Sequence, residues 1–130
     1  SEFLLDYAPL EALGCTVEVA TDDGSFGTRA FVTDLARPAL SKAGPGDWAV
    51  SCGPTPMTKA LKKLCADLGI TLYISLEERM ACGTGLCKGC AVKSAKSEEG
   101  YLHVCSDGPV FLASDVELGS MDVVSGGEKQ

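Results

Sequence analysis

Apolar positions along the first half of the chain alternate between two periodicities, and the alternation predicts strands separated by helices. Thr16-Val17-Glu18-Val19-Ala20 is a short β-rich run that ends in the turn-forming cluster Thr21-Asp22-Asp23-Gly24-Ser25. Phe31-Val32-Thr33-Asp34-Leu35 follows and leads into a short helix ending near Leu40. After the loop at residues 43–47, Trp48-Ala49-Val50-Ser51-Cys52 reads as a buried strand, and Gly53-Pro54 turns the chain. Thr55 is placed to cap a helix whose first position is Pro56. Met57, Ala60, Leu61, Leu64, Cys65 and Leu68 then fall three and four residues apart, which defines one helix face. Gly69 is a suitable stop, and Ile70-Thr71-Leu72-Tyr73-Ile74 reads as the next strand. Strand, helix, strand in this order predicts a parallel α/β arrangement.

The pattern breaks near Leu76. Beyond it the chain is rich in glycine and cysteine, with short β segments at residues 91–93 and 101–104 and a tail at residues 125–130 expected to fray. The reading is therefore an α/β chain of two parts. Residues 1–75 resemble the second half of a parallel-sheet nucleotide-binding domain, and residues 76–130 form a small cysteine-bearing domain. No G-x-G-x-x-G phosphate loop precedes the first part.

Composition narrows the functional classes. With 45% hydrophobic and 22% charged residues, the 130-residue chain has the balance of a folded soluble protein. The net charge of −7 argues against nucleic acid and anionic membrane as partners. No apolar run approaches the roughly 20 residues needed to span a bilayer, and the first residues lack the basic start of a secretory signal. The expected location is cytoplasmic. Seven cysteines form an odd count, and four of them fall between residues 82 and 105, a distribution that favours metal or cluster ligation over a disulfide framework.

Cys82, Cys87 and Cys90 have the spacing C-x4-C-x2-C, which opens plant-type [2Fe–2S] sites, and Cys105 follows as the fourth ligand. Gly83, Gly85 and Gly89 suit a loop that must wrap a compact inorganic core and bring peptide N–H groups close to sulfur. A Cys₄ zinc site is the competing reading, but it more often pairs its ligands as two short knuckles. Four thiolates on such a cluster carry single electrons, so no catalytic residue is expected in this chain.

Other residues support two readings each. Cys15 and Cys65 sit in apolar settings and are expected in the core. Cys52, with Gly53 and Pro54, stands at the carboxyl end of a strand, where parallel sheets bind ligands, or it simply packs. Thr21, Asp22 and Asp23 form either a polar turn or a contact with a dinucleotide ribose; the carboxylates would favour NAD over NADP. His103, the only histidine, reads as a half-buried strand residue more than a ligand. Glu77, Glu78 and Arg79 form a solvated linker face, unless Arg79 approaches a flavin or a partner.

The segment Ser75-Leu76-Glu77-Glu78-Arg79-Met80-Ala81-Cys82-Gly83-Thr84-Gly85-Leu86-Cys87-Lys88-Gly89-Cys90 resembles the cluster loop of the electron-transfer subunit of NAD-linked dihydroorotate dehydrogenase. Val104-Cys105-Ser106-Asp107-Gly108-Pro109 resembles the surroundings of that family's fourth cluster cysteine. Residues 20–27 and 52–57 are similar to its NAD-binding half. The resemblance implies a ferredoxin reductase-like protein with FAD, NAD and a [2Fe–2S] cluster. Its partner would be a catalytic dihydroorotate dehydrogenase subunit that carries FMN, in pyrimidine biosynthesis. It further implies that the Cys52-Gly53-Pro54 turn lies near the nicotinamide. The family's FAD-binding β-barrel and glycine-rich loop are not in this sequence, and Ala30 stands where the family has glycine. The expectation is a C-terminal piece that alone neither retains FAD nor oxidises NADH. Small subunits of NADH-dependent ferredoxin oxidoreductases and sulfide dehydrogenases are the nearest alternative, although their first ligand can be aspartate. A structural zinc-binding interaction module and an oxygenase reductase component stand further off.

Overall fold

A computed structural model describes residues 6–98 and 100–119; the tail expected to fray lies outside the described residues. The chain divides into two compact units, Ser1–Lys42 and Ala43–Gln130. Between them they hold a mixed α/β architecture with parallel strand pairs.

The first unit contains α1 (Ala8–Ala12), β1 (Ala20–Thr21), β2 (Thr28–Arg29) and α2 (Val32–Leu40). The strand expected at residues 16–20 is reduced to the two residues of β1, which pair in parallel with β2. A strand persists only where its backbone groups find a partner. Val19 O accepts from Thr28 N, and the described residues before it make no ladder. Tyr7 and Phe26 form a tilted aromatic pair with centroids 6.5 Å apart. No described residue of this unit is fully buried. Cys15 is accordingly exposed rather than part of a core.

The second unit is organised by β3 (Trp48–Cys52), α3 (Thr55–Leu68) and β4 (Thr71–Ser75). β3 and β4 are parallel, in register from Trp48 opposite Thr71 to Cys52 opposite Ser75. The helix begins one residue earlier than its capping pattern implied. Pro54 occupies the N-cap, and Pro54 O accepts from Thr58 N at 3.1 Å. Pro56 tolerates this shift because its fixed φ suits any position of the first turn. At the other end Gly69 adopts φ 70°, and Ile70 N donates to Cys65 O, the glycine-terminated stop that the sequence announced.

Leu61, Leu64 and Cys65 of α3 are buried with Leu72 and Ile74 of β4. Thr58 is buried too, although the hydrophobic pattern passes over it. Its hydroxyl lies 3.4 Å from Ser51 Oγ and donates to Gly53 O at 3.5 Å. β3 was expected to be buried, but only Ser51 is. Trp48 (64% exposed) and Val50 (54%) share the opposite face with Cys52. Within this sheet β3 is an edge strand, and Trp48 rests edge-on against Tyr73, centroids 6.0 Å apart.

The cysteine-bearing segment returns to the same sheet. β7 (Val110–Leu112) pairs antiparallel with β4, so the sheet is mixed, in the order β3-β4-β7. Strand pairing ties residues 110–112 to residues 73–75 within the second unit. β5 (Ala91–Lys93) and β6 (Tyr101–His103) form an antiparallel hairpin. Residues 115–117 lie along residues 93–95 through Ala95 N to Asp115 O and Glu117 N to Lys93 O. Val92, Val104, Val116 and Leu118 are buried there. Lys62 of α3 donates to Val116 O at 2.9 Å, joining the helix to this segment.

Ile74 is fully buried in the central strand, with α3 packed against β4. Ile74→Ala is expected to cost about 2–5 kcal/mol, read by chemical denaturation. A second expectation concerns acid. The Lys96 ammonium, 2.7 Å from Asp115, holds that carboxyl below its ordinary value of 3.8. A carboxyl depressed in the folded state stabilises above the unfolded value, and the gain is lost as pH falls through the folded value. The melting temperature of Asp115→Asn should therefore decline less steeply than that of the wild type from about pH 5 to about pH 2. Parallel curves would show that the pair does not contribute.

Candidate metal centre

The loop at residues 82–90 is irregular because its backbone angles suit neither helix nor strand. Gly83 (φ 67°) and Gly85 (φ 82°) are left-handed, and so is Lys88 (φ 56°), the only such residue other than glycine among those described. These reversals curl the chain so that peptide N–H groups point at sulfur. Thr84 N and Cys87 N donate to Cys82 Sγ at 3.4 and 3.3 Å, and Gly89 N donates to Cys87 Sγ at 3.4 Å.

The hairpin supplies the fourth cysteine. Its register sets Ala91 opposite His103, and one step further Val104 N donates to Cys90 O at 3.1 Å. Cys105 thus arrives beside Cys90 at the start of the turn closed by Asp107 N to His103 O. Asp107 Oδ2 accepts in return from His103 N at 2.6 Å and lies 3.5 Å from its Nδ1. His103 is half-buried in β6 and engaged with Asp107, in keeping with the strand reading.

The thiols fall into two pairs. Cys82 is held down to about 5, chiefly by the Cys87 backbone N–H and then by the hydroxyl and N–H of Thr84 and the Cys87 thiol. Cys105 is pushed up, first by its hydrogen bond with Cys90, while the Gly85 N–H pulls in the opposite direction. The negative charges of Cys90 and Cys82 also raise it, which puts the two pairs within electrostatic reach of each other. No set of three or more His, Cys, Asp or Glu among the described residues is grouped to hold a metal ion. Two pairs of soft donors, with N–H groups already directed at sulfur, suit a binuclear iron–sulfur group better than one tetrahedral ion. The donor set fits such a cluster. Cys90 is buried, Cys105 half-buried, and Cys82 and Cys87 exposed.

Cys52 is exposed at the end of β3 and Cys65 buried in α3; all seven cysteines are free. Gly53 has φ 152°, a backbone conformation that favours glycine, whereas the 2.6 Å approach of a Cβ to Met57 Cε could be relieved by that flexible side chain. Gly53, Pro54 and Thr55 line a cavity of about 880 Å³ together with Glu77, Arg79 and Gly89. It opens at the carboxyl ends of β3 and β4 and reaches the flank of the cysteine loop. In the other unit, Thr21 and Asp23 are engaged locally. The Thr21 hydroxyl donates to Phe26 O at 2.7 Å, and Asp23 Oδ1 accepts from Ser25 N at 2.9 Å, which lowers that carboxyl. Asp22 is exposed beside them. Sequence reasoning passed over two features of the site. Lys88 adopts a conformation that its residue type does not announce. Gly85 sits so close to Ser106 that a Cβ would stand 3.2 Å from Ser106 Oγ.

Residues 77–117 match the family described as the iron-sulfur cluster binding domain of dihydroorotate dehydrogenase B. The electron transfer subunit of dihydroorotate dehydrogenase B (NAD(+)) from Bacillus velezensis is 47% identical over 100 residues, covering 77% of this chain and 37% of the relative. The subunit of the same name from Fusobacterium nucleatum is 50% identical over 101 residues, covering 77% and 38%. The chain thus spans about two fifths of the length of these curated relatives. Among solved structures it resembles a chain of an NADH-dependent reduced ferredoxin–NADP oxidoreductase, described for flavin-based electron bifurcation. The TM-score is 0.68 and the identity 28%, over 91% of this chain and 41% of that one. The resemblance drawn from the cysteine segment is borne out.

Gly83→Ala and Gly85→Ala separate two costs in the loop. Each places a side chain on left-handed backbone, worth roughly 1–2 kcal/mol. Only Gly85→Ala also presses on Ser106, because nothing lies within 4 Å of a Cβ at Gly83. The melting temperature should fall further for Gly85→Ala; equal falls would mean that Ser106 yields freely.

Proposed function

We propose that Cys82, Cys87, Cys90 and Cys105 hold a [2Fe–2S] cluster in an electron-transfer subunit of dihydroorotate dehydrogenase. The observation that carries this reading is a four-cysteine segment, matched by that family's cluster domain, whose peptide N–H groups are directed at the sulfurs of Cys82 and Cys87. When bound, the cluster supplies one-electron relay between the FMN of a catalytic subunit and the FAD and NAD side of the full-length protein. In this reading residues 1–75 are the C-terminal half of the NAD-binding domain and residues 76–130 the cluster domain.

The chain's own residues have distinct tasks. The N–H groups of Thr84, Gly85, Cys87 and Gly89 stabilise negative charge on sulfur, which favours the reduced state. Cys52, Gly53 and Pro54 meet the nicotinamide side of NAD at the mouth of the cavity beside β3. Asp22 meets a ribose hydroxyl from a turn shaped by Thr21 and Asp23. The buried Thr58 hydroxyl holds Gly53 O, which keeps that turn in one conformation. No helix among the described residues is long and apolar enough to cross a membrane, and we place the working protein in the cytoplasm.

The small subunit of an NADH-dependent ferredoxin oxidoreductase is the second reading, supported by the structural likeness at TM-score 0.68. The higher identity to the dihydroorotate dehydrogenase subunits, 47% and 50% against 28%, favours the first.

The full-length protein purified without oxygen should be brown, contain iron and sulfide in equal amounts, and give a rhombic EPR signal on reduction. With its catalytic subunit, dihydroorotate should bleach the cluster absorption. A colourless, zinc-containing protein would refute the cluster; a brown protein reduced by ferredoxin but not by dihydroorotate would favour the second reading.

A further inference from the structure

Cys105 sits in the turn at residues 103–107, and the chain is fastened on either side of it. At the entry Val104 is fully buried, and its N–H donates to Cys90 O at 3.1 Å. Beyond the exit Pro109 O accepts from Leu76 N at 2.9 Å. Antiparallel pairs alternate between exchanging hydrogen bonds and turning their peptide groups away from each other. Val104 bonds to Cys90, so the next pair, Ala91 opposite His103, is of the second kind. The N–H and C=O of His103 therefore face away from β5, and Asp107 takes up both. Its N–H donates to His103 O at 2.8 Å, and its carboxylate accepts from His103 N at 2.6 Å. The imidazole is a looser attachment, with Nδ1 3.5 Å from the same oxygen.

A carboxylate two residues from an ionising thiol is electrostatically unfavourable, because like charges disfavour each other. A charge-assisted bond to a peptide N–H is roughly twice as strong as a neutral one and offsets that cost. We propose that Asp107 is a positioning residue: by clasping the peptide of His103 it fixes the turn and aims the Cys105 thiol at the cluster. The inference rests on the cluster reading above and adds to it what holds the fourth ligand, the one that comes from outside the loop at residues 82–90. Without the carboxylate, the turn keeps only the bonds of Ser106 N and Asp107 N to His103 O. The thiol can then swing away while the hairpin stays formed.

The test uses the full-length protein purified without oxygen. Cluster loss to an iron chelator, followed as the fall in visible absorption, should be about fivefold faster in Asp107→Ala, which removes one hydrogen bond to a charged group. Its EPR g-values should shift as well, because outer hydrogen bonds set the orientation of the ligands. Asp107→Asn keeps an oxygen acceptor and should restore both towards wild type. His103→Leu keeps the peptide N–H and removes the ring, so it should match the wild type in both. Asp107→Ser, whose shorter side chain weakens the same bond, reads a smaller loss if alanine disturbs the fold. A wild-type loss rate and wild-type g-values in Asp107→Ala and Asp107→Ser would overturn the proposal and leave the cluster reading intact. So would Asp107→Asn or His103→Leu as impaired as Asp107→Ala. A colourless wild-type protein would sink the cluster reading, and this inference with it.

Discussion

The second unit depends on β4 being hydrogen-bonded on both sides. β3 pairs with it in parallel and β7 in the opposite sense, and Ile74 sits fully buried at the crossing. Leu76 N donates to Pro109 O just past the antiparallel pair. Residues 76–109 therefore form a closed excursion whose two ends are fastened to one strand. All four clustered cysteines lie within it, which limits how far the loop and the hairpin can drift apart. The same fastening brings residues from the end of β3 and from the flank of the loop into one cavity wall.

Inside that excursion the main difficulty is electrostatic. Thiols that ionise side by side repel one another, and that repulsion adds to the hydrogen bond with Cys90 and the burial that chiefly raise Cys105. The loop offsets this with N–H groups rather than cationic side chains: four peptide donors reach three sulfurs, and Cys82 ionises readily. Dipoles built into the backbone need no rearrangement when charge arrives. Their cost is backbone strain, carried by Gly83 and Gly85 at little expense and by Lys88 at more.

The α/β part shows the same use of local polar groups. Thr58 and Ser51 are buried hydroxyls that satisfy each other and Gly53 O, so the turn after β3 is held from beneath while its upper side lines the cavity. Lys62 reaches from α3 to Val116 O, extending the support to the last described residues of the hairpin region. Polar groups secure the site's edges, and apolar burial by Leu61, Leu64, Leu72 and Ile74 secures its base.

Features that depend on neighbours in the chain were legible in the sequence. The β3-α3-β4 order, the Gly69 stop and the cysteine spacing follow from turn chemistry, helical periodicity and ligand reach, all of which act over a few residues. Cys105 stood out in the sequence as the remaining downstream cysteine and by the resemblance of its surroundings; the hairpin register, with Val104 N on Cys90 O, is what brings it next to Cys90. Tertiary structure alone decided the rest. β7 carries a run of three apolar residues too short to announce a strand, and it becomes one because β4 offers a free edge. Thr58 is buried because Gly53 O accepts from its hydroxyl and Ser51 Oγ lies 3.4 Å away, and Cys15 is exposed because no described residue of its unit is buried. Lys88 takes a left-handed angle because its loop has to curl between Cys87 and Cys90. Each of these outcomes depends on groups distant in sequence, and local patterns hold no record of which distant groups will meet.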